Sequence, residues 1–369
     1  MNAFDWHAVA DKIYLKTKAV AARNTDIIPY TTKNGRFDDW TEHDISWWTN
    51  GFWAGQLWQL YAAYGDSLFR TVAERIEEKL DRALMSSQGM DHDSGFRWLP
   101  SAGANYRLTG SPSSKNRLLL AANDLAGRFN LAGGFLRAWN DSGDGSTAGR
   151  VIIDSMMNLP LLYWASKELN DPRFSQIAVR HADTVMDAFV REDGSVCHIV
   201  DFDPYTGKRL KSEGGQGYGH GSAWTRGQAW ALYGFTLSYL HTQKSEYLKT
   251  AEKVASYFLS QIPESGLIPV DFRQPALPAY EDSTAAAIAA CGLLELAKVT
   301  KNARYKEAAE RLLFTLAEYR CNFDENCDHL LEKCTAAYHD KEHEFAIIYG
   351  DYYFTEAVFK LTDKEIFLW

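Results

Sequence analysis

Apolar positions recur at helical spacing along most of the chain, and no stretch shows the sustained alternation of a half-buried strand. Helices rich in apolar and small residues are predicted to begin near Trp48, Ala102, Val151, Trp224, Asp282 and Ala346. Each of the first five is followed by a more charged, amphipathic helix. These run near Ser67–Met85, Lys115–Arg128, Pro172–Phe189, Ser245–Ser260 and Ala303–Tyr319. Tyr64-Gly65-Asp66, Asn170-Asp171-Pro172 and Lys301-Asn302 punctuate the pairs, and Gly110-Ser111-Pro112 cuts the second pair short. A sixth partner is the first helix of the chain, about Asp5–Ala22. A helix apolar all round is buried, and one with a charged face is peripheral. Alternation of the two kinds predicts two concentric rings, an all-α (α/α)6 barrel. Residues 1–369 are therefore read as one domain, although length alone would allow about two.

The totals narrow the function. The chain carries 12 Trp, 19 Tyr and 19 Phe, whose flat faces suit sugar rings but also fill cores. A net charge of −9 with no basic stretch argues against nucleic acid as a partner. The first residues, Met1-Asn2-Ala3-Phe4-Asp5-Trp6-His7, show no secretion signal. No window is expected to supply the roughly 18 uncharged apolar residues that span a bilayer. The odd set of Cys197, Cys291, Cys321, Cys327 and Cys334 fits reduced thiols, and with them a cytoplasmic protein.

Three segments carry chemistry. Asp154 stands alone in an oily run, Val151-Ile152-Ile153-Asp154-Ser155-Met156-Met157-Asn158-Leu159-Pro160-Leu161-Leu162. Burial favours the neutral carboxyl, which can then lend a proton and take it back. A carboxylate that only caps a helix or pairs with an Arg would look the same at this level. Met90-Asp91-His92-Asp93-Ser94-Gly95-Phe96 crowds two carboxylates around an imidazole. It could polarise a hydroxyl or hold a metal, or its Asp residues could simply cap turns. Trp224-Thr225-Arg226-Gly227-Gln228-Ala229-Trp230 sets an Arg in a buried helix, where it would pair with a carboxylate. The preceding Gly214-Gly215-Gln216-Gly217-Tyr218-Gly219 is no phosphate loop, since no strand leads in and no Gly-Lys-Ser/Thr follows. His339-Asp340-Lys341-Glu342-His343 has the spacing of a reversed zinc-protease signature, but its polar surroundings point to a loop.

These segments, taken in order with Trp48-Thr49-Asn50-Gly51-Phe52-Trp53, Asp282-Ser283-Thr284-Ala285-Ala286-Ala287 and Tyr349-Gly350-Asp351-Tyr352-Tyr353, give a resemblance over nearly the whole chain. The chain resembles the unsaturated glucuronyl hydrolases of glycoside hydrolase family 88. The resemblance implies an (α/α)6 barrel and removal of the 4,5-unsaturated uronic acid that polysaccharide lyases leave at a non-reducing end. By the same resemblance, Asp154 donates and later accepts the proton and Asp93 is its assisting carboxylate. It also implies substrate contacts from His198, Gln216, Trp224, Arg226 and Trp230, and from Trp48 and Tyr338. Some relatives carry His before that glutamine, where this chain has Gly215. No metal or organic cofactor is implied, and the partner is an unsaturated uronyl oligosaccharide. Rival readings are an unsaturated rhamnogalacturonyl hydrolase, a sugar epimerase working through paired histidines, and a non-catalytic sugar-binding protein.

Overall fold

The computed structural model describes residues 4–86, 89–141 and 143–369. In chain order its helices are α1 (Trp6–Arg23), α2 (Phe52–Tyr64), α3 (Ser67–Leu84), α4 (Ser94–Trp98), α5 (Ala104–Thr109), α6 (Pro112–Gly127) and α7 (Leu159–Leu169). They continue as α8 (Arg173–Phe189), α9 (Thr225–Thr242), α10 (Ser245–Gln261), α11 (Ser283–Thr300), α12 (Ala303–Tyr319) and α13 (Ile348–Leu361). The inner ring runs α2, α4–α5, α7, α9, α11 and α13, with α13 packing back on α2 to close it. Outside it lie α3, α6, α8, α10, α12 and α1, each against an inner helix. The inner helices α9, α11 and α13 are buried on nearly every side, whereas α3 and α8 bury one stripe. The double ring expected from the pattern is the observed architecture.

The second inner helix begins earlier than predicted, at Ser94 rather than near Ala102. It passes through a wide π segment, Leu99–Gly103, before continuing as α5. Pro100 sits there without an N–H to give, and a widened turn accommodates it. Gly110, left-handed at φ 72°, ends α5, and Ser111 caps α6 from its side chain with Pro112 in the first turn. That same tripeptide therefore ends one helix and starts the next.

The third inner helix begins later than expected, at Leu159. Val151 does not open a helix, because Arg150–Ile152 forms a strand with β-branched side chains suited to a sheet. The short strands are β1 (Thr32–Lys33), β2 (Arg36–Phe37), β3 (Phe129–Asn130), β4 (Phe135–Leu136), β5 (Arg150–Ile152), β6 (Ile199–Phe202) and β7 (Arg209–Glu213). They pair antiparallel as β1–β2, β3–β4 and the three-stranded β5–β6–β7. Strands this brief leave no alternation to read. A 3-10 turn, Ile153–Met157, joins β5 to α7, whose first turn holds Pro160.

Helix α11 is long and apolar enough to cross a membrane by length and composition, yet 78% of that window is buried inside the barrel. It packs between α9 and α13, which accounts for its composition.

Candidate active site

Asp154 leaves the barrel wall on the 3-10 turn between β5 and α7, at the mouth of a cavity of about 420 Å³. Asp91, His92 and Asp93, from the loop before α4, form another wall. Trp47 and Trp48, Trp139, Ile152, His198 and Gln216 complete much of the lining. With Asp44, three separated stretches of sequence thus place four carboxylates on one cavity.

Asn158 fixes their spacing. Its Nδ2 donates to Asp93 Oδ1 at 3.1 Å and to the Asp154 carbonyl at 3.3 Å. Its Oδ1 accepts the Phe96 N–H at 2.8 Å, so the start of α4 and the start of α7 are tied together. Gly95 permits this closeness, because a Cβ there would sit 2.7 Å from Asn158 Cα.

Burial pushes the Asp154 carboxyl up to about 6, against the pull of Arg226 and Trp230. Among the described residues its buried Oδ2 has no hydrogen-bond partner, and it faces His198 Nε2 at 3.8 Å. His198 Nδ1 accepts the Gln216 N–H at 2.9 Å, which assigns the proton of a neutral ring to Nε2. Burial, reinforced by Arg226, pulls His198 down to about 3, so the ring is neutral at ordinary pH. An N–H therefore points toward the buried carboxyl oxygen.

Asp93 is raised well above the carboxylate range by burial, then by the neighbouring charges of Asp91 and Asp154. Asp91 goes the other way. Burial opposes its charge, but Arg97 and the Asp93 N–H outweigh that, with Arg97 Nη2 donating at 2.7 Å. His92 is pulled down to about 4 by burial and stands 3.5 Å from Asp93 Oδ1. A carboxyl that keeps its proton beside one that keeps its charge is the arrangement expected of acid–base chemistry.

Of the residues singled out in the sequence, Asp154, Asp93, Trp48, His198 and Gln216 line the cavity. Trp224, Arg226, Trp230 and Tyr338, also expected to contact substrate, are not among those lining residues but pack against them or against Asp154. Trp224 packs against the His198 ring at 4.2 Å, and the Arg226 guanidinium lies 4.4 Å over Trp224. Arg226 gives its terminal nitrogens to Asp282 at 2.7 Å and to the carbonyls of Thr335 and Ala336. Its charge still reaches Asp154, while three of its five N–H donors are given to Asp282, Thr335 and Ala336. Trp230 packs on Phe96 at 5.0 Å, and the Tyr338 N–H donates to the Gln216 carbonyl at 2.9 Å. The fully buried Arg in an inner helix is thus explained by Asp282, the N-cap of α11.

Gly215 has φ 57°, and a Cβ there would collide with His198 Nδ1. A side chain at this position is incompatible with the present placement of His198. Sequence reasoning passed over Asn158 as a bridge, and Trp47 and Trp139 as lining. Trp139 offered a weak signal, as a large aromatic beside the turn-forming Asn140-Asp141.

The polar run near the end of the barrel is a loop, as expected. His339 Nε2 lies 2.7 Å from the Tyr218 carbonyl, and His343 Nε2 lies 2.9 Å from that of Tyr338. Among the described residues no group of three or more His, Cys, Asp or Glu could hold a metal ion. All five cysteines are free thiols.

A model of glycosyl hydrolase family 88 matches residues 18–366. The chain is 36% identical to the unsaturated glucuronyl hydrolase of Bacillus sp. (strain GL1), over 86% of this chain and 87% of that one. It is 33% identical to the unsaturated chondroitin disaccharide hydrolase of Streptococcus pneumoniae, over 86% of this chain and 82% of that one. Its fold superimposes on the crystal structure of the Bacillus sp. GL1 unsaturated glucuronyl hydrolase, described as responsible for the degradation of glycosaminoglycan, with a TM-score of 0.88 over 97% of each chain.

Proposed function

The chain belongs to glycoside hydrolase family 88, and from that premise we propose that it removes the 4,5-unsaturated uronic acid from lyase-made glycosaminoglycan oligosaccharides by hydrating a vinyl ether. The observation that carries the reading is the buried, unpartnered Asp154 Oδ2 at the cavity wall, raised to about 6 and facing an imidazole N–H. A carboxyl of that kind titrates close to neutrality, so it can lend a proton and take one back.

The C4=C5 bond of the substrate is conjugated to the ring oxygen. Protonation of C4 by Asp154 moves the π electrons into the new C–H bond and leaves positive charge at C5, shared with that oxygen. Water then adds at C5 and returns its proton to the Asp154 carboxylate. The resulting hemiketal opens and expels the remaining sugar as an alcohol. One carboxyl serves both steps, unlike ordinary glycosidases, whose two carboxyls flank the anomeric carbon. Asp93, carrying its own proton, acts as a hydrogen-bond donor to sugar hydroxyls and fixes where the Asp154 proton goes. Trp48 offers an aromatic face to the sugar, and His198 and Gln216 offer N–H donors. The relatives' names, one for chondroitin disaccharides, favour glycosaminoglycan products over pectin fragments. Thiols left unpaired fit a cytoplasmic site of action.

The test is a panel of lyase-made disaccharides, sulfated and unsulfated, from chondroitin, hyaluronan, heparin and pectin. Loss of the ultraviolet band of the conjugated enoate on a glycosaminoglycan member supports the reading. No loss on any member, from folded protein, overturns it.

A further inference from the structure

We propose that Asp91, clamped by Arg97, is a positioning residue of this site, whose fixed negative charge and bond to the Asp93 backbone hold Asp93 as the proton-bearing partner of Asp154. The inference rests on the acid–base reading of the cavity given above and adds a residue to it.

The geometry is specific. Asp91 Oδ1 accepts the Asp93 N–H at 2.9 Å and Arg97 Nη2 at 2.7 Å. Arg97 is fully buried on α4 and also donates from Nη1 to the Ser46 carbonyl, which belongs to the segment carrying Trp47 and Trp48. One guanidinium therefore fastens the carboxylate-bearing loop and the tryptophan wall together. A buried Arg beside Asp91 fixes the carboxylate in its charged form, and a bond to the next residue but one fixes its direction.

The charge at Asp91 acts on the buried Asp93 from two residues away. Other groups bear on the same place. Asp154 approaches from the 3-10 turn and raises Asp93 further, while Arg97 and the Asn158 amide favour its ionised form. From α6, Asp124 accepts from Ser94 Oγ at 3.5 Å and adds negative charge near Asp91. Arg128, the C-cap of α6, is pulled below the usual arginine range by burial but keeps its charge, and gives its donors to the carbonyls of Met90, Arg137 and Ala138. His92 and His198 are neutral rings, and Arg226 acts from behind Trp224 on Asp154. Asp91 is the nearest fixed negative charge, since Asp154 itself changes state during the reaction. Remove it, and Arg97 is left without its counter-charge beside Asp93. Both changes favour ionisation of Asp93.

The experiment follows the aspartate carboxyl carbons by NMR in protein labelled there, with the Asp93 resonance identified as the one absent from Asp93→Asn. In Asp91→Asn that resonance is expected to titrate about one pH unit lower, or more, than in the unaltered protein. The alkaline limb of kcat/KM should move down in step, with KM little changed. If Asp91→Asn does not fold by circular dichroism, Asp91→Ser is read in the same way. An unchanged Asp93 midpoint in a folded neutral variant overturns the inference. If the unaltered protein turns over none of the enoates, the proposed activity falls, while the resonance still decides the role of Asp91.

Discussion

Asn158 Nδ2 donates to Asp93 Oδ1 at 3.1 Å, linking a residue at the start of α7 to a carboxyl in the loop before α4. Asn158 is fully buried and its other side-chain atom is also engaged, by the Phe96 N–H. Asn158→Asp keeps the size and the acceptor but replaces the donor with a third acid facing Asp93. Loss of a buried hydrogen bond with its partner left unsatisfied costs about 1–3 kcal/mol. Denaturant unfolding at pH 7 should show a loss in that range, and kcat/KM should fall at least about tenfold.

Gly215→Ala tests the neighbouring wall. The position is left-handed, and the new methyl would displace His198, whose Nδ1 accepts the Gln216 N–H. A left-handed alanine alone costs about 1 kcal/mol. The expected outcome is a stability loss of at least that size, and a larger fall in kcat than in KM, because His198 faces the acid. Steady-state kinetics with denaturant unfolding would check both parts.

The double ring was legible because inner helices such as α9 and α11 are rich in apolar and small residues and buried on nearly every face, while outer ones such as α3 keep a charged side. Asp154 was legible for the same reason, as a charge that its neighbours cannot solvate. Arg226 was correctly read as wanting a carboxylate, but Asp282 lies 56 residues away, and nothing local told partner from substrate. The Asn158–Asp93 bond spans 65 residues and depends on how α4 meets α7. Strands of two to five residues leave too few positions for a period to show, so the sheet that carries His198 toward Asp154 was invisible.

Chelation separates this site from a metalloenzyme. His339 and His343 resemble zinc ligands in spacing only, since each Nε2 lies at hydrogen-bond distance from a backbone carbonyl and the His343 ring stacks on Tyr280 at 3.7 Å. Activity on the enoate should be unchanged, within about twofold, after dialysis against a chelator. His339→Ala should also leave turnover close to that of the unaltered protein. A loss restored by added zinc would contradict the proposed mechanism.

Asp154→Asn should abolish turnover and yet stabilise the fold above neutrality. Replacing the acid removes proton transfer worth about 10²–10⁴ in rate, read as bleaching of the enoate band. The stability change follows from the carboxyl being raised from 3.8 to about 6 in the folded protein. Below about pH 4 it is neutral in both folded and unfolded chains, and the full benefit of burying a neutral group is present. Between about 4 and 6 the unfolded chain ionises first, so stability drains away as pH rises. Above about 6 both states are charged, and the folded one bears the whole cost of a desolvated carboxylate, about 3 kcal/mol for a difference of that size. Asparagine is neutral throughout and never incurs it. Thermal or denaturant unfolding should therefore show the variant gaining up to about 3 kcal/mol at pH 8 and little at pH 4. Equal stabilities at both pH values would mean that Asp154 is solvated in the free protein and is not the poised acid.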